Sequence, residues 1–311
     1  MKQRIGFIIL LCVLCGGILG IPAWVEKPAE VLELPEGPRS FDQSLQVRVL
    51  LGEQVETMLL SHYLAGVVGA ELPEDFPMEA KKAQAVAART FVLRQAGEGK
   101  HSQADVCADS SCCQAWTGEM KPLAVQAVEE TDGLVLIYHD ELIEATYFSC
   151  SGGKTEAAAA VWGSEIPYLQ AVDSPGEEQA PRFSEVIELS AESFAARLQT
   201  LRPEIELTGA APDWFGMITY TEGNGIDTID IGEQQFRGTE LRSLFGLRST
   251  NIRFSVTEDT ITISTQGYGH RVGLSQYGAK AMAEQGSGFE EILSHYYRDA
   301  KIKRLFLSEE A

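Results

Sequence analysis

The sequence predicts an α+β fold, a single body of mixed helices and mainly antiparallel strands, and three observations carry that expectation. Short runs of β-type residues recur in pairs joined by brief polar turns, as antiparallel strands do. Helical runs fall among them irregularly, without the steady strand–helix alternation of a parallel sheet. No internal repeat organises the chain. At 311 residues it can bury a sizeable core, as one large domain or two small ones. A net charge of −20 argues against nucleic acid as a partner and against electrostatic attachment to an anionic membrane.

Taken in order, Lys2 and Arg4 precede an uncharged apolar run at residues 5–25, long enough to span a bilayer as a helix. The flanking charges keep the N-terminus cytoplasmic and export the rest. A cleaved signal peptide is the rival, but no small-x-small cleavage site follows. Cys12 and Cys15 raise a lipid anchor, against which the bulky Leu14 argues. The expectation is an uncleaved anchor at 1–25: a single-pass protein of the cell membrane with an extracytoplasmic body. Residues 26–44, with Pro28, Pro35 and Pro38, read as a semi-rigid acidic linker, and 45–311 as the body.

The body opens with a strand at 45–51, where Leu45, Val47, Val49 and Leu51 share one face. A helix at 57–70 is apolar and rich in small residues near its end. Pro73 pushes Leu72 out of helical geometry, so this helix stops near Glu71. A second helix starts after Asp75, with Pro77 where a missing N–H costs little. Its Ala83, Val86, Ala87 and Phe91 fall on one face. A polar, cysteine-bearing stretch at 100–116 leads to a helix at 122–131, ended by Asp132-Gly133. Strands at 134–138 and 142–149 flank a turn at His139-Asp140. Ser190 caps a helix at 191–201, with Pro203 beyond it. Residues 215–221 and 226–231 form a hairpin through Gly223-Asn224-Gly225. A short helix at 240–245 precedes a hairpin of 252–256 and 260–264 around Glu258-Asp259. Helices at 275–285 and 289–297 and a strand at 302–307 close the chain.

Several residues are hard to explain as packing. Glu71 is a carboxyl at the end of an apolar helix, where the negative dipole end and partial burial both favour its protonated form. That is what a general acid requires. Arg89 lies beside the apolar stripe and could orient an anionic group; the plainer alternative is a Glu71–Arg89 salt bridge bracing the corner. His101, Cys107, Cys112 and Cys113 form H-x5-C-x4-C-C, compact enough for one structural zinc. A disulfide or free thiols are the alternatives, although an adjacent Cys112–Cys113 bridge would be strained and Cys150 is the only other exported thiol. At 147–163, Gly152 and Gly153 allow close backbone approach, while Ser149, Ser151, Lys154 and Thr155 supply hydroxyls and a cation; a plain glycine turn is the alternative. At 267–278, Ser275 starts a helix, and Gln276 and Tyr277 can hydrogen-bond to and stack on a sugar ring. His270 reads as a structural hydrogen bonder. No serine–histidine–acid order or phosphate loop is present.

Residues 70–90, AELPEDFPMEAKKAQAVAART, closely resemble the opening signature of the stage II sporulation protein D family, whose relatives include amidase enhancers. YFSCSGGKTEAAAAVWG at 147–163 resembles its S-x-G-G-x-T and V-W-G segments, and GYGHRVGLSQYG at 267–278 its G-x-G-H-G-V-G-M-S-Q-Y-G-A. The last departs at Arg271, where glycine is usual, and at Leu274, where methionine is common; Arg271 bears on how closely a glycan can approach. The resemblance spans roughly 45–307. It implies a glycan-binding cleft and a peptidoglycan lytic transglycosylase acting in sporulation and engulfment. Such an enzyme cleaves glycan, preferably stripped of stem peptides, to 1,6-anhydro-muramic acid ends. Glu71 would be the catalytic residue, with Arg89, Ser149, Ser151, Lys154, Ser275, Gln276 and Tyr277 on the substrate. Some members carry a His/Cys zinc cluster, which braces a loop and is not needed for the chemistry. The implied partners are an amidase or endopeptidase and a multi-pass membrane protein of the engulfment complex. The alternative function is a non-catalytic wall-binding enhancer of an N-acetylmuramoyl-L-alanine amidase.

Overall fold

In the computed structural model of the protein, residues 40–307 are described. Gln46–Leu51 turns back through Gly52 into Gln54–Leu59, and the two strands pair antiparallel from Gln46↔Leu59 to Leu51↔Gln54. Val106–Cys107 joins the other edge in parallel. The first long helix therefore begins later than its apolar pattern suggests, at Leu60–Glu71, because residues 57–59 are claimed by the hairpin. Leu72 is extended (φ −116°, ψ 134°), as the proline after it demands.

Helix Met78–Glu98 is the spine of the body. Ala85, Ala88 and Val92 pack into a core with Val47, Val49, Leu64, Val67 and Val68. Ala80, Ala83, Val86 and Ala87 enter a second core with Leu136, Leu274, Ile292 and Tyr296. A helix buried on two sides needs small residues, since neighbouring backbones must approach from both directions. Leu134–Tyr138 pairs antiparallel with Glu141–Leu142 and with Lys301–Arg304. The single strand expected at 142–149 is interrupted: Ile143 and Ala145 turn into the core, and Tyr147–Phe148 pairs in parallel with Leu274–Ser275.

After Phe183 the chain builds a third core. Ser184–Ser190 pairs with Thr260–Gln266, which pairs with Asn251–Val256; Phe215–Tyr220, Ile226–Ile231 and Gln234–Arg237 form a second antiparallel sheet. With helices Ala191–Leu201 and Gly238–Phe245 these strands enclose Phe194, Leu198, Ile229, Phe236, Leu241 and Ile263. The chain returns where Gly267 N–H donates to Phe183 O at 2.7 Å, so residues 184–266 form an inserted lobe. The α+β expectation is met by mixed helices and mostly antiparallel strands.

Two expectations are corrected. Among the described residues no helix is long and apolar enough to cross a membrane, so the single-pass membrane anchor and the localisation built on it are not supported. The run at 5–25 from which they were read lies outside the described residues. The end of the expected linker also belongs to the body: Phe41–Ser44 is helical, and the Asp132 carboxylate accepts the N–H groups of Phe41 and Asp42 at 3.0 and 2.9 Å. A four-residue helix held by a carboxylate some ninety positions away leaves no periodic signal.

Candidate active site

Glu71 ends its helix at the wall of a cleft of about 430 Å³. Phe91, Cys113, Ala115, Tyr147, Phe148, Ser149, Tyr268, His270 and Gln276 share the lining, and Glu71 is the only carboxyl among the lining residues. Both its oxygens are held: Oε1 accepts from Ala115 N–H at 3.2 Å, and Oε2 from Gln276 Nε2 at 2.9 Å. Burial pushes the Glu71 carboxyl above its ordinary value, with the bonds from Gln276 and then Ala115 pulling the other way. A largely buried acid with a raised pKa, facing a cleft and gripped by two neutral donors, can deliver a proton and then tolerate the charge left behind.

The structure brings only some of the expected residues here. Ser149 and Gln276 line the cleft. Tyr277 lies behind it, edge-on to Phe76 at 5.1 Å, with its N–H on Ser149 O at 3.0 Å. Ser151 and Ser275 are fully buried, and both donate to Glu177. Lys154 reaches Glu222 at 3.6 Å and is not part of the lining.

Arg89 is a clear correction. It is fully buried, its Nε 2.8 Å from Asp42 Oδ1 and its Nη1 3.0 Å from Leu134 O. It touches neither the cleft nor Glu71. Two positions along a helix turn the side chain by about 200°, and Phe91 faces the cleft, so Arg89 points away from it.

His270 is structural, as its setting among glycines suggested. Val272 N–H donates to Nδ1 at 3.1 Å, so Nε2 carries the proton given to Tyr147 O at 3.0 Å. Burial pushes its pKa down to about 4, which keeps it neutral. Arg271 has φ +67°, the left-handed conformation glycine would take. Its buried guanidinium turns inward, to Ser151 O at 2.7 Å, Glu156 Oε1 at 3.0 Å and Lys154 O at 2.8 Å. The departure from glycine thus leaves the cleft clear. Sequence reasoning missed Tyr147 as a cleft residue. Its hydroxyl is buried without a partner, and burial, then the Glu71 charge, raises its pKa well above that of a free phenol. An aromatic heading the S-x-G-G segment was the available signal.

A sequence profile described as Stage II sporulation protein matches residues 52–138. Stage II sporulation protein D of Bacillus amyloliquefaciens is 36% identical over 274 residues, which is 82% of this chain and 78% of that protein. Its counterpart in Bacillus subtilis (strain 168) is 32% identical over 339 residues, 97% of this chain and 96% of that protein. The chain belongs to the stage II sporulation protein D family. An amidase enhancer of Bacillus subtilis is also similar, 29% identical over 286 residues, but these cover only 39% of its length. Membership in the stage II sporulation protein D family places the chain among sporulation proteins. The matched stretch holds Glu71, Ala115 and the whole His/Cys cluster.

That cluster can hold a metal. One ligand atom from each of His101, Cys107, Cys112 and Cys113 lies within 4.8 Å of all the others. His101 Nε2 is 3.3 Å from Cys113 Sγ and 3.8 Å from Cys112 Sγ. Ligands bound at about 2.0–2.3 Å around one zinc sit roughly 3.3–3.8 Å apart, so the donor set and spacing fit. All four described cysteines are free thiols, and Cys150 lies outside the cluster. Burial raises the Cys113 thiol to about 12, so a metal binding there would have to displace its proton.

Proposed function

We propose that this stage II sporulation protein D family member is a peptidoglycan lytic transglycosylase, with Glu71 as its catalytic residue. The observation that carries the reading is a lone buried carboxyl in the cleft lining. Hydrolytic glycosidases set two carboxyl groups about the bond, one to activate water or to attack. A transglycosylase can use one group twice. Protonated Glu71 gives its proton to the leaving glycosidic oxygen as the bond to the anomeric carbon breaks. The carboxylate, steadied by the Gln276 amide and Ala115 N–H, then takes the proton of the muramic acid C6 hydroxyl. That oxygen closes onto the anomeric carbon, giving a 1,6-anhydro end and regenerating the acid, with no water consumed. Ser149 and the aromatic lining of Tyr147, Phe148 and Tyr268 suit the polar edges and apolar faces of sugar rings.

His101, Cys107, Cys112 and Cys113 would hold zinc as a brace, since four protein ligands leave it no open position. Cys113 stands in the cleft wall two residues before Ala115, so the braced loop steadies the N–H on Glu71. The preferred substrate is glycan stripped of stem peptides, which makes an amidase the partner acting before this step.

The assay is peptide-free glycan with mass spectrometry of the products. Wild type yields anhydro ends, and Glu71→Gln folds, binds glycan and loses about 10⁴-fold in rate. Cleavage by Glu71→Gln at the wild-type rate removes the role from this residue. The amidase-enhancer relative favours a second reading, a non-catalytic wall-binding protein. That reading prevails if neither protein cleaves while both stimulate an amidase.

A further inference from the structure

Glu177 belongs to none of the three motif segments, yet it is 1% exposed and its carboxylate joins two of them. Oε2 accepts from Ser151 N–H at 2.7 Å, Ser151 Oγ–H at 2.8 Å and Gly152 N–H at 2.9 Å. Oε1 accepts from Ser174 Oγ–H at 2.7 Å and from the Ser275 hydroxyl. Tyr296 in turn donates to Ser174 at 2.7 Å. A carboxylate is acceptor-only, and with the Gly153 N–H at 3.4 Å from Oε2 six donors from three parts of the chain converge on this one.

Ser275 also accepts the N–H of Gly278 at 3.2 Å, capping helix Gln276–Glu284. Gln276 is that helix's first residue, and its amide holds Glu71. A side chain on Gly278 would put its Cβ 2.0 Å from the Tyr296 hydroxyl, 2.1 Å from Ser174 Oγ and 3.0 Å from Glu177 Oε1. Glycine there is what lets the helix seat against Glu177. On the other side, Ser149 O receives Tyr277 N–H at 3.0 Å, so the cleft wall at Ser149 and the helix start move together.

We infer that Glu177 is a positioning residue: it pins the start of helix Gln276–Glu284 to the Ser151–Gly152 turn and so sets the Gln276 amide against Glu71. Glu177 touches no cleft atom, so its effect on cleavage passes through Gln276. The inference rests on the catalytic reading of Glu71 for its kinetic consequence, and on geometry alone for the placement of Gln276.

The test uses the full chain, peptide-free glycan strands, and the side-chain amide proton–nitrogen signals of Gln276, identified by their loss in Gln276→Ala. Glu177→Gln keeps the shape but weakens the charge-assisted bonds. It is expected to lower kcat about 10- to 100-fold with KM within about twofold, and to shift the Gln276 amide signals. Combined with Gln276→Ala, it should lower kcat no further than Gln276→Ala alone. Multiplying effects, a raised KM with kcat unchanged, or unmoved Gln276 signals overturn the inference. So does a variant with a lower melting temperature but wild-type kcat per folded molecule. If Glu177→Gln does not fold, Ser275→Ala removes only the hydroxyl between Glu177 and the helix, and the same outcomes decide. If wild type does not cleave, the catalytic reading fails, and the Gln276 signals alone test the positioning.

Discussion

At the scale of single residues, Glu71 makes two pH-dependent predictions. In the proposed mechanism cleavage begins with a protonated Glu71, so the rate should fall as pH rises through its raised pKa. The alkaline limb should therefore lie above the 4.5 of an ordinary glutamic acid, and a pH–rate profile checks it. The sign for stability follows from linkage. A carboxyl whose folded pKa is raised binds its proton more tightly when folded; that stabilisation is full below the unfolded pKa and is lost as pH rises through the folded one. Glu71→Gln should thus melt above wild type at neutral pH, and the gap should close near pH 4. Arg89 gives the opposite kind of prediction. Arg89→Ala strands the buried Asp42 carboxylate and should cost about 3–5 kcal/mol in urea unfolding, with cleavage per folded molecule largely kept.

At the scale of elements, the cleft depends on how the cysteine loop is held. The purified protein should contain about one zinc, and Cys107→Ser should lose it. The same substitution should lower the melting temperature more than it lowers cleavage per folded molecule, as the proposed bracing role requires. A metal-free protein with a disulfide at Cys107 would sink this account. Packing between helix Leu60–Glu71 and the end of that loop is equally exacting. A Cβ on Gly66 would stand 2.3 Å from Trp116 Nε1 and 2.5 Å from Thr117 O. Gly66→Ala should therefore destabilise by about 1–3 kcal/mol and shift Trp116 fluorescence.

At the scale of the molecule, the inserted lobe has its own core, and the buried Arg271 is among the residues that tie it to the body. The Arg271 guanidinium reaches Gly223 O and Thr250 Oγ1 in the lobe, and Ser151 O and Glu156 Oε1 in the body. Separate cores predict separate opening. Hydrogen exchange should show residues 184–266 exchanging as one cooperative unit, distinct from the spine helix. Arg271→Lys, which cannot make this many bonds, should lower protection in the lobe more than in the spine.

The sequence by itself determined the elements whose signals are local. Helix Ala191–Leu201 begins where Ser190 caps it, Ser190 Oγ accepting Ser193 N–H at 3.1 Å. The Phe215–Tyr220/Ile226–Ile231 hairpin turns through Gly223-Asn224-Gly225, where Asn224 takes the left-handed conformation (φ +65°) and the two glycines let Thr155 and Glu156 approach closely. Glu71 was legible because a proline dictates where its helix stops, and the family resemblance rested on contiguous residues. Tertiary structure alone decided the rest. Strand Ser184–Ser190 went unread because what makes it a strand is pairing with Thr260–Gln266, from Ser190↔Thr260 to Ser184↔Gln266. Arg89 looked like a site residue until its partner, 47 positions earlier, was in place. The donors to Glu71 come from 44 and 205 positions away, and Glu177 meets Ser275 across 98. A residue's type and local period say what bonds it can make. Which bonds form depends on what the folded chain brings within about 3 Å, and no local pattern carries that information.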